Sequence, residues 1–344
     1  VNHSVNPTRP IRPLREGAPE TVRSRRSVLG WLAIAPLASV ARAQPAASVW
    51  VPEKPVKLIV PFPPGGATDL VSRLLSERVR PHLGQPLVVE NRGGANGIIA
   101  ARAAGTAAPD GYTLFLGAIG TQAINRIIYP QAFNPDEFVP IAAVNTVPTV
   151  FAVAKDGRAQ SLDDVIKLGR SGQGNYGHWA IASVPHLAGE LFKKQAGIPR
   201  LEGIPFQGAA QCMQALIGGQ IDIANFPLSL ARTFSERVRI LGLASKERLP
   251  SAPEIPTMAE LGYPVDVEAW YGVFAPPGTP RPIVDALTTA INATIGDPEF
   301  SKRLRDASMK PQSFPSAEAY SAWIKGESTR WAAVLKELGV GPQP

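Results

Sequence analysis

From residue 57 onward the chain alternates between two hydrophobic periods. Lys57-Leu58-Ile59-Val60-Pro61-Phe62 is a short apolar run that stops at Pro63-Pro64-Gly65-Gly66. After Ala67-Thr68-Asp69, apolar residues recur at Leu70, Val71, Leu74, Leu75, Val79 and Leu83, the spacing of a helix with one buried face. The pattern predicts a strand over 57–62, a turn over 63–68 with Thr68 or Asp69 as cap, and a helix over 69–82. Two more units of the same kind follow. One has a strand over 87–90, the turn Arg92-Gly93-Gly94-Ala95-Asn96-Gly97 and a helix over 98–107. The other has a strand over 112–116, the turn Gly117-Ala118-Ile119-Gly120-Thr121 and a helix over 122–128. Repeated strand, Gly-rich turn and helix implies an α/β architecture with a parallel sheet, whose turns gather at one edge.

A second set of units begins near 145. Ser161-Leu162-Asp163-Asp164 has the form of a helix cap. Strands are expected at 175–180, 203–206, 220–224 and 239–244, and helices at 185–196 and 209–217. Two apolar, strand-like stretches, 141–154 and 265–275, flank this set and read as crossovers between two lobes. The C-terminal part then returns to the first lobe. Ile283, Leu287, Ile291 and Ile295 mark a helix over 282–295, and Asp297-Pro298-Glu299 is a cap, a proline at the first helical position and an acid in the first turn. A last helix over 316–338 buries Tyr320, Ile324, Trp331, Leu335 and Leu338. The expected division is a leader over 1–43, one lobe from 44–145 with 268–344, and a second lobe from 146–267.

Composition fits this picture: 344 residues, 44% hydrophobic and 18% charged, enough for two domains with a core. The formal charge of +7 suggests nucleic acid until its location is considered. Residues 1–43 hold seven Arg against Glu16 and Glu20, and the remainder has 28 basic and 26 acidic residues. With no basic run interleaved with aromatics, no nucleic-acid partner is expected. The Arg cluster has its own meaning. Ser24-Arg25-Arg26-Ser27-Val28-Leu29 is a twin-arginine pattern, though Val28 stands where Phe is common. A modestly apolar stretch of about 13 residues follows, short of the roughly 20 that span a bilayer. Ala41-Arg42-Ala43 supplies the small residues of a cleavage site. An exported, periplasmic product cleaved after Ala43 is expected. The single Cys212 lies in an apolar helical run and reads as a small buried hydrophobe.

Side-chain chemistry is sparse. The four His are His3, His82, His178 and His186. No metal-ligand spacing, GxSxG elbow, P-loop or GxGxxG turn is present, so no cofactor is expected. His178 and His186 lie close in sequence to Ser183, but nothing supplies a third catalytic member. Backbone anion chemistry remains. A helix N-terminus carries unpaired N–H groups and about half a positive charge, and Gly65 and Gly66 leave no Cβ in a ligand's way. The same residues describe equally well a capped turn with nothing bound.

The chain as a whole resembles the solute receptors of the tripartite tricarboxylate transporter group, often called Bug-type receptors. The resemblance is carried by VPEKPVKLIVPFPPGGATD (51–69), LGQPLVVENRGGANG (83–97), AAPDGYTLFLGAIGTQAIN (107–125), HLAGELFKKQAG (186–197), IPFQGAAQCMQALIGGQID (204–222), SKERLPSAPEIPTMAELGY (245–263) and WYGVFAPPGTPRPIVDALTTAIN (270–292). It implies a type II periplasmic binding protein fold: two lobes with parallel or mixed sheets, joined by two crossover strands, closing on a small organic carboxylate. It also implies a non-catalytic, monomeric receptor that partners integral-membrane transporter subunits. By position, the resemblance places Pro64, Gly65, Gly66, Ala67, Thr68 and Asp69 at one end of the ligand, with Gly120, Thr121 and Gln122 beside them and Asn125 nearby. On the second lobe it points to Trp179, Ser183, Phe206 and Asn225. Here the sequence departs from the family. The turn over 178–185 has lost its glycines and gained Trp179 and Pro185. The family's usual acid after the GGQ-x-D strand is absent from Asn225-Phe226-Pro227-Leu228-Ser229, which argues against an amino-acid ligand. A sensor domain signalling to a membrane kinase, and a hydrolase on the same α/β scaffold, are the alternatives.

Overall fold

The computed structural model describes residues 50–343, so the expected leader and cleavage site lie outside the described residues. β1 (Val56–Val60) is buried at Val56, Leu58, Ile59 and Val60, which explains its nearly continuous apolar run. In the turn after it, Gly65 adopts φ +89, a conformation that costs an ordinary residue about 1–2 kcal/mol. α1 (Ala67–Leu83) starts two residues earlier than expected. Its N-cap is Gly66 in extended backbone, and no side chain caps it. Thr68 and Asp69 lie inside the first turn instead. Asp69 Oδ2 accepts from the Gly65 N–H at 3.1 Å and from Arg73 Nε at 3.0 Å.

β2 (Leu87–Asn91) and β3 (Thr113–Ala118) flank β1 and run parallel to it, with α2 (Ile98–Gly105) between them in sequence. The helix expected at 122–128 is a π-helical turn, Gly120–Ile124, leading into the single turn of α3 (Asn125–Ile128). β4 (Val139–Val147) ends at Pro148, which has no N–H to continue a ladder. The next strand, β5 (Thr149–Ala154), belongs to another sheet. The stretch read as one crossover over 141–154 is therefore two strands joined at a proline.

The second sheet contains β5, β6 (Asn175–His178), β7 (Glu202–Pro205), β8 (Ile223–Pro227) and β9 (Val238–Leu243), in the order β7-β6-β8-β5-β9. β6 is parallel to β7 and β8, whereas β5 is antiparallel to β8 and β9. β8 lies three residues beyond the expected 220–224, because Gly219 turns left-handed and Asp222 is held outside the ladder by Arg158 and Asn175. Helices α4 (Leu162–Ser171), α5 (Val184–Ala196), α6 (Ala209–Ile217) and α7 (Leu228–Thr233) connect these strands. Ser161 caps α4 as its sequence suggests, accepting from the Asp164 N–H at 3.2 Å. The six-residue α7 was not expected.

The chain returns through β10 (Ala269–Ala275), which inserts antiparallel between β3 and β4. A two-residue β11 (Lys310–Pro311), also unexpected, completes the order β11-β4-β10-β3-β1-β2. The two crossings are tied together where Thr149 Oγ1 donates to Val267 O at 2.8 Å. α8 (Arg281–Gly296), α9 (Pro298–Asp306) and α10 (Ala317–Leu338) finish the chain. Asp297 caps α9 by accepting from the Glu299 and Phe300 N–H groups at 2.8 and 2.9 Å. α10 lies against the first sheet, where Trp270 Nε1 donates to Glu327 at 3.0 Å. It also reaches α5 of the second, where Lys194 meets Glu337 at 2.8 Å.

Candidate functional site

Strands β1, β3, β6 and β7 end at a common cleft of about 300 Å³ between the two sheets, at the lower end of the range for small-molecule sites. One wall is the first βα turn: Phe62 to Thr68, backed by Asn96 and by Ala118-Ile119-Gly120. The first backbone bond of α1 is Leu70 N–H to Gly66 O at 3.0 Å. The N–H groups of Ala67, Thr68 and Asp69 lie before it and have no helical acceptor. Asp69 sits behind them, buried, with Oδ2 committed to Gly65 and Arg73. Burial alone would raise its pKa, but hydrogen bonds from Arg73, Gly65 and Asn91 outweigh it and hold the carboxyl below its usual value. Arg73 offsets that charge, so the positive end of α1 is not cancelled.

The facing wall comes from the second sheet. Gly208, the N-cap of α6, has no side-chain cap, and the first bond of this helix is Cys212 N–H to Gly208 O at 3.1 Å. The Ala209, Ala210 and Gln211 N–H groups are thus unaccepted within α6, and all three residues line the cleft. Gln211 spends its side-chain oxygen on the Gln207 N–H at 2.8 Å. Among the other helices, α4, α9 and α10 are closed by the side chains of Ser161, Asp297 and Ser316, whereas α2, α5, α7 and α8 also lack a side-chain cap.

α5 also points at the cleft, but it offers less. Pro185 removes one N–H from its first turn, and Ser183 Oγ turns back to donate to Ala180 O at 2.7 Å. The loop before it is held from behind by two histidines. Ala182, at φ +60, donates its N–H to His186 Nδ1 at 3.2 Å, and His178 Nδ1 lies 3.2 Å from Ala180 O. The two rings meet edge-on with centroids 4.9 Å apart. Burial, reinforced by neighbouring His178, pushes the His186 pKa down to about 4, so this ring is neutral at pH 7. Ser183 makes no bond to either imidazole, so no Ser–His pair forms.

The floor is the pair of crossings. Thr149, Pro227, Ala269 and Tyr271 line it, with Trp179 and Leu230 adding apolar surface at the side. No Lys, Arg, His, Asp or Glu side chain lines the cleft among the described residues. Two helix N-termini without side-chain caps thus open on one uncharged cleft, an arrangement whose free N–H groups and dipoles suit an anion.

Residues 71–340 match the family model described as the tripartite tricarboxylate transporter family receptor. The chain belongs to that family. It is 35% identical over 317 residues to BugT of Bordetella pertussis, covering 88% of this chain and 95% of BugT. It is 33% identical over 321 residues to a protein of Pseudomonas sp. strain P51 encoded between tcbD and tcbE, covering 91% and 94%. Among solved structures, the periplasmic binding protein BugD superposes with a TM-score of 0.78 at 32% identity, over 85% of this chain and 100% of BugD. An R. palustris protein solved with adipate gives 0.80 at 32% identity, over 85% and 99%. MatC of Rhodopseudomonas palustris, with bound malate, gives 0.75 at 32% identity, over 83% and 99%. The receptor therefore has the periplasmic binding protein fold, with two mixed sheets and surrounding helices.

Of the residues expected at the receptor's site, Pro64, Gly65, Gly66, Ala67, Thr68, Gly120, Trp179 and Ser183 are brought together on the cleft wall. Asp69, Thr121, Gln122, Phe206 and Asn225 are not on it. Thr121 is buried, with Oγ1 exchanging hydrogen bonds with the Ala118 backbone at 3.0 Å. Gln122 and Asn225 are buried one layer back, and Phe206 packs into the apolar cluster around Cys212. Phe226, next to Asn225, belongs to that same core. Sequence reasoning missed the N-terminus of α6 and the floor. Phe206-Gln207-Gly208 before an apolar helix repeats the strand–glycine–helix form of the first turn and could have pointed to α6. Nothing local marks Tyr271, whose place depends on β10 returning between β3 and β4.

Proposed function

We propose that this chain is a non-catalytic periplasmic receptor that captures a small dicarboxylate between two closing lobes and delivers it to an integral-membrane tripartite transporter. The observation that carries the reading is that two uncapped helix N-termini, α1 and α6, share a cleft lined by no charged side chain among the described residues. Each end suits one carboxylate. A helix end contributes about 0.3–2 kcal/mol to an anion, and each charge-assisted hydrogen bond about 1.5–3 kcal/mol. A few such contacts reach the roughly 8 kcal/mol of a micromolar complex.

The lobes in this reading are 44–145 with 268–344, and 146–267. They hinge where Thr149 and Val267 tie the crossings. The relatives solved with adipate and malate support the ligand class, and the family description supports the transporter partner. The absence of an acid on the wall favours ligands without an ammonium group. Calorimetry and thermal shift of the mature protein against linear, branched and aromatic carboxylates test the reading. A stabilising dicarboxylate is expected; a panel in which no carboxylate raises the melting temperature would overturn it.

A further inference from the structure

Four side chains with hydroxyl groups line the cleft: Thr68, Thr149, Ser183 and Tyr271. Two are already committed, Thr149 to Val267 O and Ser183 to Ala180 O. Thr68 lies in the first turn of α1, beside one proposed carboxylate position. Tyr271 is different. It rises from β10 on the floor, is only 7% exposed, and its hydroxyl finds no protein partner among the described residues. Burial alone, with no hydrogen bond in support, raises its pKa above the usual phenol value, so it stays a neutral O–H donor. The Tyr271 hydroxyl is not among the fully buried, unpartnered polar atoms of the described residues, so it opens onto the cleft with its proton free for water or a ligand. Each end of the cleft already has backbone N–H groups for a carboxylate. Tyr271 therefore adds a donor where neither end needs one.

We propose that the Tyr271 hydroxyl reads an oxygen substituent carried between the two carboxylates, so that the receptor prefers hydroxy- or oxo-dicarboxylates to plain chains. This rests on the dicarboxylate reading of the same cleft. It makes Tyr271 a specificity-determining residue, with Thr149 unable to substitute because its own O–H is spent. A plain chain would leave the phenol unpaired in the closed state; an oxygenated chain satisfies it.

The test compares wild type with Tyr271→Phe by calorimetry, using the matched pairs succinate with malate and glutarate with 2-oxoglutarate. Wild type is expected to favour the oxygenated member of at least one pair by about tenfold, and Tyr271→Phe to erase that preference, weakening the oxygenated member relative to the plain one. Because the hydroxyl has no partner in the unliganded protein, the melting temperature of ligand-free Tyr271→Phe should equal or exceed that of wild type. A variant that keeps the preference, or weakens both members equally, overturns the assignment to Tyr271 and leaves the receptor reading intact. A wild type that binds neither member of either pair but binds other dicarboxylates also overturns it. A wild type that binds no dicarboxylate overturns both.

Discussion

Asn96 and Asn125 hold each other through two hydrogen bonds. Asn96 Nδ2 donates to Asn125 Oδ1 at 3.1 Å, and Asn125 Nδ2 donates back to Asn96 O at 3.1 Å. The turn they secure is strained at Ala95 and Asn96, which have φ of +47 and +50 between Gly94 and Gly97 at +124 and +85. Ala95 and Asn96 each give up about 1–2 kcal/mol there. Gly97 has no room for a side chain, because a Cβ on it would stand 2.7 Å from Thr121 Cγ2. Asn125, fully buried, thus holds Asn96 at the cleft wall. Asn125→Ala should lower the unfolding free energy by about 2 kcal/mol, read from urea denaturation, and weaken ligand binding as the turn relaxes. Unchanged stability would mean the turn holds itself.

Gly66 and Gly208 are the N-caps of α1 and α6 at the cleft. A Cβ at either meets nothing within 4 Å, and neither residue is left-handed. A larger side chain there should be tolerated by the fold and project into the open space. Gly66→Val and Gly208→Val are each expected to change stability by no more than about 0.5–1 kcal/mol while abolishing the ligand-induced rise in melting temperature. Binding retained by Gly208→Val would remove α6 from the site.

An ammonium group has no acceptor of opposite charge on the wall. Aspartate and succinate differ by that group alone. Aspartate should bind at least about tenfold more weakly than succinate in calorimetry, because its ammonium is desolvated without a partner. Equal affinities would mean that backbone carbonyls or water serve the cation.

His186 links acidity to the second wall. Its folded pKa of about 4 lies below the 6.5 of an unfolded chain, with burial the main cause and His178 adding to it. His178 is shifted the same way by its own burial. Glu190, Lys193 and Tyr176 face this pair from α5 and β6. Lys193 and Tyr176 are both bonded to Glu190 and keep that carboxylate ionised despite its burial. Between about pH 6.5 and 4 the unfolded chain binds a proton the folded one refuses. The stabilisation is complete above the upper value, is lost as pH falls through the lower one, and amounts to about 3 kcal/mol. The second proton must go to Nδ1, which then can no longer accept from Ala182. His186→Asn, whose Oδ1 can take the place of Nδ1, should flatten the fall in urea midpoint between pH 7 and pH 4.5. An identical fall in the variant would assign the loss to other groups.

Much of the scaffold was readable because local rules and tertiary packing agreed. α6 has the bounds its apolar spacing indicates, and Asp297-Pro298 opens α9 as its chemistry dictates. Errors arose where a local preference was overruled. Asp69 reads as a cap, yet α1 begins at Ala67 because Gly66 takes the extended conformation and Asp69 reaches back to Gly65. The first wall of the cleft is contiguous in sequence, so its residues could be named together. The second wall and floor bring residues 207–211 next to Thr149 and Tyr271. Only the two crossings do that, and no spacing in the sequence records it.

Peptide amides, unlike lysine or histidine, have no proton to gain or lose in ordinary water. A host whose grip is built from them keeps the same attraction across a wide range of acidity, and its hold should weaken only as the guest's own acid groups become neutral. Plotted against pH, affinity should therefore trace the titration curve of the guest, down to the point where His186 takes its proton.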